Sequence, residues 1–359
     1  MGRLSRTHIL GYVLLIGSLA VVGSTQRAIA QDLQTFKPAV GINGPFVNPG
    51  ARTTDAHHLV SRLTVGMAQD PLKVVGSATR REETVIDRQL GFDLGIAWGT
   101  MERLEVGLVV PFGHVSGPAL SDFGEEGFAM GDIRFSSKFR IHGGGITDHH
   151  IFGVDFIMSA PTGQVKRLYG AEGFTFQPRI LTDLVLDEAR LSLGVGMLFR
   201  PETENLENVE LSHEFVYSVG TTVELDWISL ALIGELFGAV PLTEVRDRDS
   251  AFPLEGLLGL QFASQSGLIL TLASGFGLVA DRGVPSRRMI FSIGYDATLG
   301  QDKPKQYAPI KASPKPEAKP EPKPETKPEP KPETKSEPKP EAKPEPEAQP
   351  EPDAKPEAE

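Results

Sequence analysis

The chain has 359 residues, no cysteine and a net charge of −11. The lack of cysteine excludes a disulfide, a thiolate metal site, a cysteine nucleophile and a lipid-modified N-terminal cysteine, and the acidic balance argues against nucleic acid as a partner. Prolines are unevenly placed: 17 of the 29 follow residue 300, so composition divides the chain before any motif is read.

Residues 1–30 read as a secretory signal peptide. Arg3 and Arg6 give a basic start, Ile9–Val22 is almost wholly apolar, and Ala28-Ile29-Ala30 is a small-x-small cleavage site that puts the mature start at Gln31. The apolar run falls short of the roughly 20 residues a spanning helix needs. Residues 31–57 carry no strand pattern and are expected to be an extended periplasmic N-terminal segment.

The next stretch, to residue 300, has a period of two. Phe92-Asp-Leu-Gly-Ile-Ala-Trp98, Leu104-Glu-Val-Gly-Leu-Val-Val-Pro-Phe112, Ile133-Arg-Phe-Ser-Ser-Lys-Phe139 and Met289-Ile-Phe-Ser-Ile-Gly-Tyr295 alternate apolar with small or charged residues. Side chains that alternate at 180° per residue mark a half-buried strand. Twelve such segments fall near 58–69, 84–98, 104–112, 128–141, 150–160, 174–186, 190–200, 211–225, 228–240, 253–263, 268–279 and 287–299. Most exceed the roughly 5–6 residues of an average soluble strand and suit the roughly 9–11 tilted residues that cross a bilayer. Pro71, Pro111, Pro161, Pro201 and Pro241 recur at spacings of 40, 50, 40 and 40, each after an odd-numbered segment, where a residue without a ladder donor belongs at a strand end. Connections after odd segments are long and those after even ones mostly short, as with Asp187-Glu188 and Asp226-Trp227. Long loops on one rim and tight turns on the other are the habit of outer-membrane barrels.

A soluble barrel also alternates, with its apolar face inward. Three features favour the apolar face outward. The polar face is rich in glycine (Gly91, Gly95, Gly107, Gly194, Gly220, Gly259 among others), which weakens strands unless a crowded lumen needs the space. Residues 31–300 hold only four lysines, Lys37, Lys73, Lys138 and Lys166, too few for a sheet facing water. Trp98 and Trp227 both fall at short turns, where an aromatic girdle would meet the membrane interface. The expected fold is therefore all-β, a 12-stranded antiparallel transmembrane barrel over 58–300, in outer-membrane lipid.

The polar face carries the candidate lumen-lining charges Asp132, Arg134, Lys138, Arg140, Asp155, Arg179, Asp183, Glu224, Glu235 and Glu255, together with Arg62, Asp87, Asp93, Glu105, Arg190, Arg200, Glu214 and Arg288. A strongly selective pore would carry a ring dominated by one sign. The signs here nearly balance, at 8 positive and 10 negative, which suggests ion pairs across a narrow or closed lumen. Residues 301–359 repeat Lys-Pro-Glu with little apolar content and near-cancelling charge (12 Lys against 14 Asp+Glu), so a disordered, extended tail is expected. An even strand number puts both barrel termini on the short-turn side, so the tail would hang in the periplasm as a polyproline strut.

Leu33-Gln-Thr-Phe-Lys-Pro-Ala39 and Asp70-Pro71-Leu72 resemble the N-terminal barrel of outer-membrane protein A-like envelope proteins. Gly131-Asp132-Ile133-Arg134 followed by Lys138, and Ala160-Pro161-Thr162-Gly163, are similar to the aromatic-degradation-pathway transporter-like outer-membrane barrels. The first resemblance implies a structural envelope role, although its usual peptidoglycan-binding domain is replaced here by the Lys-Pro-Glu tail; the second implies transport.

No histidine lies in a pattern suited to a serine hydrolase, and no phosphate-binding loop occurs, so no enzyme activity, cofactor or metal is expected. His142, His149 and His150 flank the Gly143-Gly144-Gly145 turn and read as solvated imidazoles. The expected function is a barrel anchor whose tail reaches peptidoglycan or periplasmic envelope proteins. The alternative is a narrow channel for passive transport of small or apolar solutes.

Overall fold

The computed structural model describes residues 36–75, 82–144, 148–200, 204–206, 209–211, 213–225, 228–242, 253–279 and 283–298. The expected signal peptide, the tail at 301–359, Trp227 and Pro201 lie outside the described residues.

The strands are β1 (His58–Val75), β2 (Glu82–Met101), β3 (Leu104–Ser116), β4 (Gly127–Met130), β5 (Ile133–His142), β6 (His150–Ala160), β7 (Thr175–Leu186), β8 (Ala189–Leu198), β9 (Glu204–Leu206), β10 (Val209–Leu211), β11 (Glu214–Leu225), β12 (Leu230–Pro241), β13 (Leu254–Ala263), β14 (Leu268–Val279) and β15 (Arg287–Thr298). Every neighbour in the large sheet is antiparallel, and β1 pairs with both β2 and β15, so the sheet closes on itself. β4 and β5 share one position beside β3, which gives a 12-stranded barrel. β9 and β10 form a separate hairpin. No described helix is long and apolar enough to cross a membrane; the crossing is made by strands.

The alternation has the inverted polarity expected of a barrel in lipid. On β5, Arg134 and Lys138 are buried while Phe135 and Phe139 are exposed. On β7, Arg179, Leu181 and Asp183 point in while Ile180 and Leu186 point out. Trp98, 44% exposed, sits on the outer face near the tight Glu102-Arg103 turn, where an interfacial aromatic is favoured.

Two of the five periodic prolines do not end strands. Pro71 lies inside β1, at a register shift between Gln69 and Leu72 against β2. Pro111 lies inside β3, where its partner changes from β5 to β4. Between these pairings β4–β5 has one residue more than β3, and Gly131 donates to the Pro111 carbonyl at 2.8 Å. A residue without N–H fits a bulge as well as an end, since neither needs its ladder donor.

Two long connections fold over the long-loop rim. A short helix, α1 (Leu120–Phe123), follows β3, and a 3-10 turn (Val165–Arg167) follows β6. Leu120, Leu168 and Tyr169 pack with Leu72, Val85, Ile86, Val115 and Ala129 into an apolar cluster. The Tyr169 hydroxyl donates to the Phe112 carbonyl at 2.9 Å, and its ring occupies the space that a side chain at Gly113 would need.

Candidate functional site: an occupied lumen

The expectation of an extended periplasmic segment at 31–57 is corrected by its described part. Residues 36–57 pack on the inward face of the barrel. Phe36, Val40, Asn43, Phe46, Asn48, Ala51, Thr53 and Thr54 are all buried. The segment has no regular hydrogen-bonding pattern of its own beyond a loop closed by the Ala39 N–H donating to the Phe46 carbonyl at 2.8 Å. Its amide groups therefore need partners from the wall.

Three carboxylates supply them. Glu235, on β12, accepts from the N–H groups of Phe46, Val47 and Asn48 at 2.8, 2.8 and 2.7 Å. Asp183, on β7, accepts from the N–H of Ala51 at 2.9 Å and of Arg52 at 3.4 Å. Glu105, on β3, accepts from both the N–H and the hydroxyl of Thr54 at 2.7 and 2.8 Å. Cations hold the carbonyls: Lys138 Nζ donates to Pro49 at 3.1 Å and Arg179 Nη1 to Val47 at 3.3 Å. The segment thus leaves the short-turn rim, where the His57 N–H bonds to the Gly99 carbonyl, crosses to the β7 and β12 walls, and returns towards β1 and β15.

Inward glycines make room for it. A Cβ at Gly95 would lie 2.9 Å from Val40, and one at Gly259 2.7 Å from the Phe46 ring. A Cβ at Gly220 would collide with Pro45. The crowding inferred from glycine content is real, and much of it comes from the chain's own N-terminal segment. Apolar contact adds to this: Phe36 and Phe46 cover a lumen patch made by Ile233, Phe237, Leu257, Ala273 and Ile290.

The remaining wall charges pair along the wall rather than across the lumen. Arg134 meets Asp93 at 2.5 Å, Lys138 meets Glu105 at 3.2 Å, Arg179 meets Asp155 at 2.5 Å and Arg288 meets Glu255 at 2.5 Å. Lys138–Glu105 and Arg179–Asp155 are directly opposed on neighbouring strands, and the other two pairs span one intervening strand.

Asp132 has a separate task. The β4–β5 bulge turns it inward, and it accepts from the Gly163 and Ala171 N–H groups at 2.8 Å each, tying the 161–173 loop to the wall. Arg140 sits at the short-turn rim and donates to the carbonyls of Gly143 and Glu102 at 2.7 and 2.6 Å. Glu224 lies near the same rim, on the face of β11 that it shares with the buried Ser218 and Thr222, and is exposed there.

The 36–57 segment has no periodicity, so its own sequence does not place it in the lumen. A signal was nevertheless available: Ile233, Phe237, Leu257 and Ile290 are large apolar residues on a face that is otherwise polar or small, and they need an apolar cover.

No family model matches the chain, and no curated protein sequence matches it. Among solved structures, an outer membrane channel from Pseudomonas putida F1 is similar with a TM-score of 0.54 and 11% identity, over 69% of this chain and 98% of that one. The NanC porin gives 0.45 at 7% identity, over 67% and 100%. The toluene transporter TodX of Pseudomonas putida gives 0.39 at 9% identity, over 74% and 98%. The first similarity shows a shared fold, that of an outer-membrane barrel.

Proposed function

We propose that the protein is a narrow outer-membrane channel for small apolar solutes, closed at rest by its own N-terminal segment. The observation that carries this reading is how residues 36–57 are held in the lumen. A barrel serving only as an anchor needs nothing more than a permanently filled interior. Here the filler is a separate stretch of chain, continuous with β1 through His57 and docked by hydrogen bonds that water can replace. Under it lies a preformed apolar patch. A removable filler over an apolar surface suits a gate and a solute path.

The short-turn rim is taken as periplasmic, so the segment docks from the periplasmic side. The channel neighbour from Pseudomonas putida F1 is in keeping with this reading, as is the resemblance of Gly131–Arg134 and Ala160–Gly163 to transporter-like barrels. The anchor reading rests on the tail, outside the described residues.

The test is single-channel recording from the purified full chain in planar bilayers, after a heat-modifiable gel shift confirms a folded barrel. The parent protein is expected to give rare steps and the Glu235→Gln variant frequent ones. Silence from both, with insertion demonstrated, would remove the channel reading.

A further inference from the structure

Occlusion alone leaves two features of the lumen without a use. The first is the apolar patch on β12–β15, which a purely polar docking surface for residues 36–57 would not require. The second is Arg62 on β1. It is 7% exposed, and among the described residues its Nε and Nη2 atoms have no partner while its Nη1 reaches the Ala39 carbonyl at 3.4 Å. Arg134, Lys138, Arg179 and Arg288 each have a carboxylate; among the described residues Arg62 has none. A buried guanidinium without a counter-charge is costly to maintain and normally marks a ligand.

Room for one opens beside Arg62 when the segment leaves. Its two cross-strand neighbours are Gly95 and Gly294, and Val40 of the N-terminal segment fills the space over the first. The wider lumen has the same bias. Among the described residues, seven of the eight unpartnered buried side-chain atoms are nitrogens, on Asn43, Asn48, Arg52, Arg62, Arg134 and the rim residue Arg140, and the Asp183 oxygen is the one acceptor.

Both features touch the same four residues of the segment. The Phe36 ring lies on the apolar patch, beneath the Arg288 guanidinium at 4.8 Å, and the Ala39 carbonyl points at Arg62. Residues 36–39 therefore present an apolar ring and, three residues on, an oxygen acceptor.

We infer that this stretch occupies a solute subsite, and that the solute is a small amphipathic carboxylate with an aromatic or aliphatic body. The body takes the place of Phe36 on Ile233, Phe237, Leu257 and Ile290. The carboxylate takes the place of the Ala39 carbonyl on Arg62, where a guanidinium can bind both oxygens at once. Because solute and segment compete for the same groups, the solute binds only the segment-released state and so favours it. This inference rests on the channel reading.

The experiment uses the full-chain Glu235→Gln variant in planar bilayers, with sodium benzoate, sodium acetate and benzyl alcohol as probes. Benzoate, with both ring and charge, is expected to interrupt the open current at concentrations at least ~10-fold below those needed for acetate or benzyl alcohol. Adding Arg62→Gln should weaken the benzoate effect by at least ~10-fold, Arg62→Lys should weaken it less, and Arg88→Gln, on the exposed rim, should leave it unchanged. Equal potency of benzoate and acetate, or benzoate block that ignores Arg62→Gln, would overturn the inference while the channel reading stands. The probe comparison is made without changing Arg62, so it decides the matter even where a variant folds poorly. A folded, inserted Glu235→Gln barrel that never conducts would overturn the channel reading and this inference together.

Discussion

Glu235 is the strongest single hold on the N-terminal segment, and its replacement by glutamine makes a quantitative test. The carboxylate accepts three backbone N–H groups at 2.7–2.8 Å while 3% exposed. A hydrogen bond to a charged group contributes roughly 1.5–3 kcal/mol and a neutral one about 1 kcal/mol. Glutamine keeps one oxygen and turns an NH2 group towards at least one of the three donors. One charged bond is lost and the other two become neutral, which sums to roughly 2.5–7 kcal/mol. Burying a neutral amide costs less than burying a carboxylate, which offsets much of that and leaves about 2 kcal/mol. The released fraction should then rise ~30-fold.

The chain has no cysteine, so a single Val40→Cys provides the only thiol. Val40 is 9% exposed against Gly95, and cysteine is no larger than valine, so docking survives the substitution. Reaction with a maleimide should track the released population where redocking outpaces labelling. Glu235→Gln is expected to raise that rate ~30-fold in the folded, inserted barrel. An unchanged rate would refute the claim that these three bonds hold the segment.

Gly95→Val places methyl groups where Val40 sits, and overpacking of this kind costs roughly 1–3 kcal/mol. Thiol labelling from a position such as Phe46→Cys should rise ~5- to 100-fold, with the heat-modifiable gel shift retained. Asp132→Ala removes the acceptor for Gly163 and Ala171 and should loosen the 161–173 loop by about 2 kcal/mol, read as trypsin cutting after Lys166 or Arg167 at least ~10-fold faster. Arg179→Ala leaves Asp155 buried without its cation and takes a donor from the Val47 carbonyl; a loss of roughly 3–5 kcal/mol should appear as a lower temperature for the heat-modifiable transition, and an unchanged transition would show that the pair contributes little.

The wall was legible in the sequence. Strict alternation along Phe92–Trp98 or Ile133–Phe139 fixes which residues share a face, and the scarcity of lysine with inward glycine fixes which face is lipid-directed. Pairing was less legible. Which carboxylate meets Arg134 depends on register and on β3 lying between β2 and β5, neither of which a local pattern contains. The Gly131-Asp132 bulge is hidden within the 128–141 pattern because one extra residue barely disturbs the alternation around it. The place of residues 36–57 was the least legible. Their anchoring groups are backbone amides, which every residue has, so the segment's own sequence carries almost no trace of docking. The trace lies in the wall, in carboxylates that lack a cation for themselves and in apolar residues on the wrong face.

The strand number explains why such a segment is needed at all. About eight strands leave an interior that side chains can fill, and about 16–18 leave an aqueous channel. A 12-stranded barrel falls between, and here the central space is filled by a looped stretch of the chain itself. The wall of this protein behaves accordingly. Its cations satisfy carboxylates on nearby strands, and the central space goes to residues 36–57. A fully apolar filler would make a dry, permanent seal. This one alternates apolar contacts, at Phe36 and Phe46, with amide-to-carboxylate bonds that water can exchange, at 46–48, 51 and 54. The second kind of contact makes release possible, and the first determines what the lumen would accept in the segment's place.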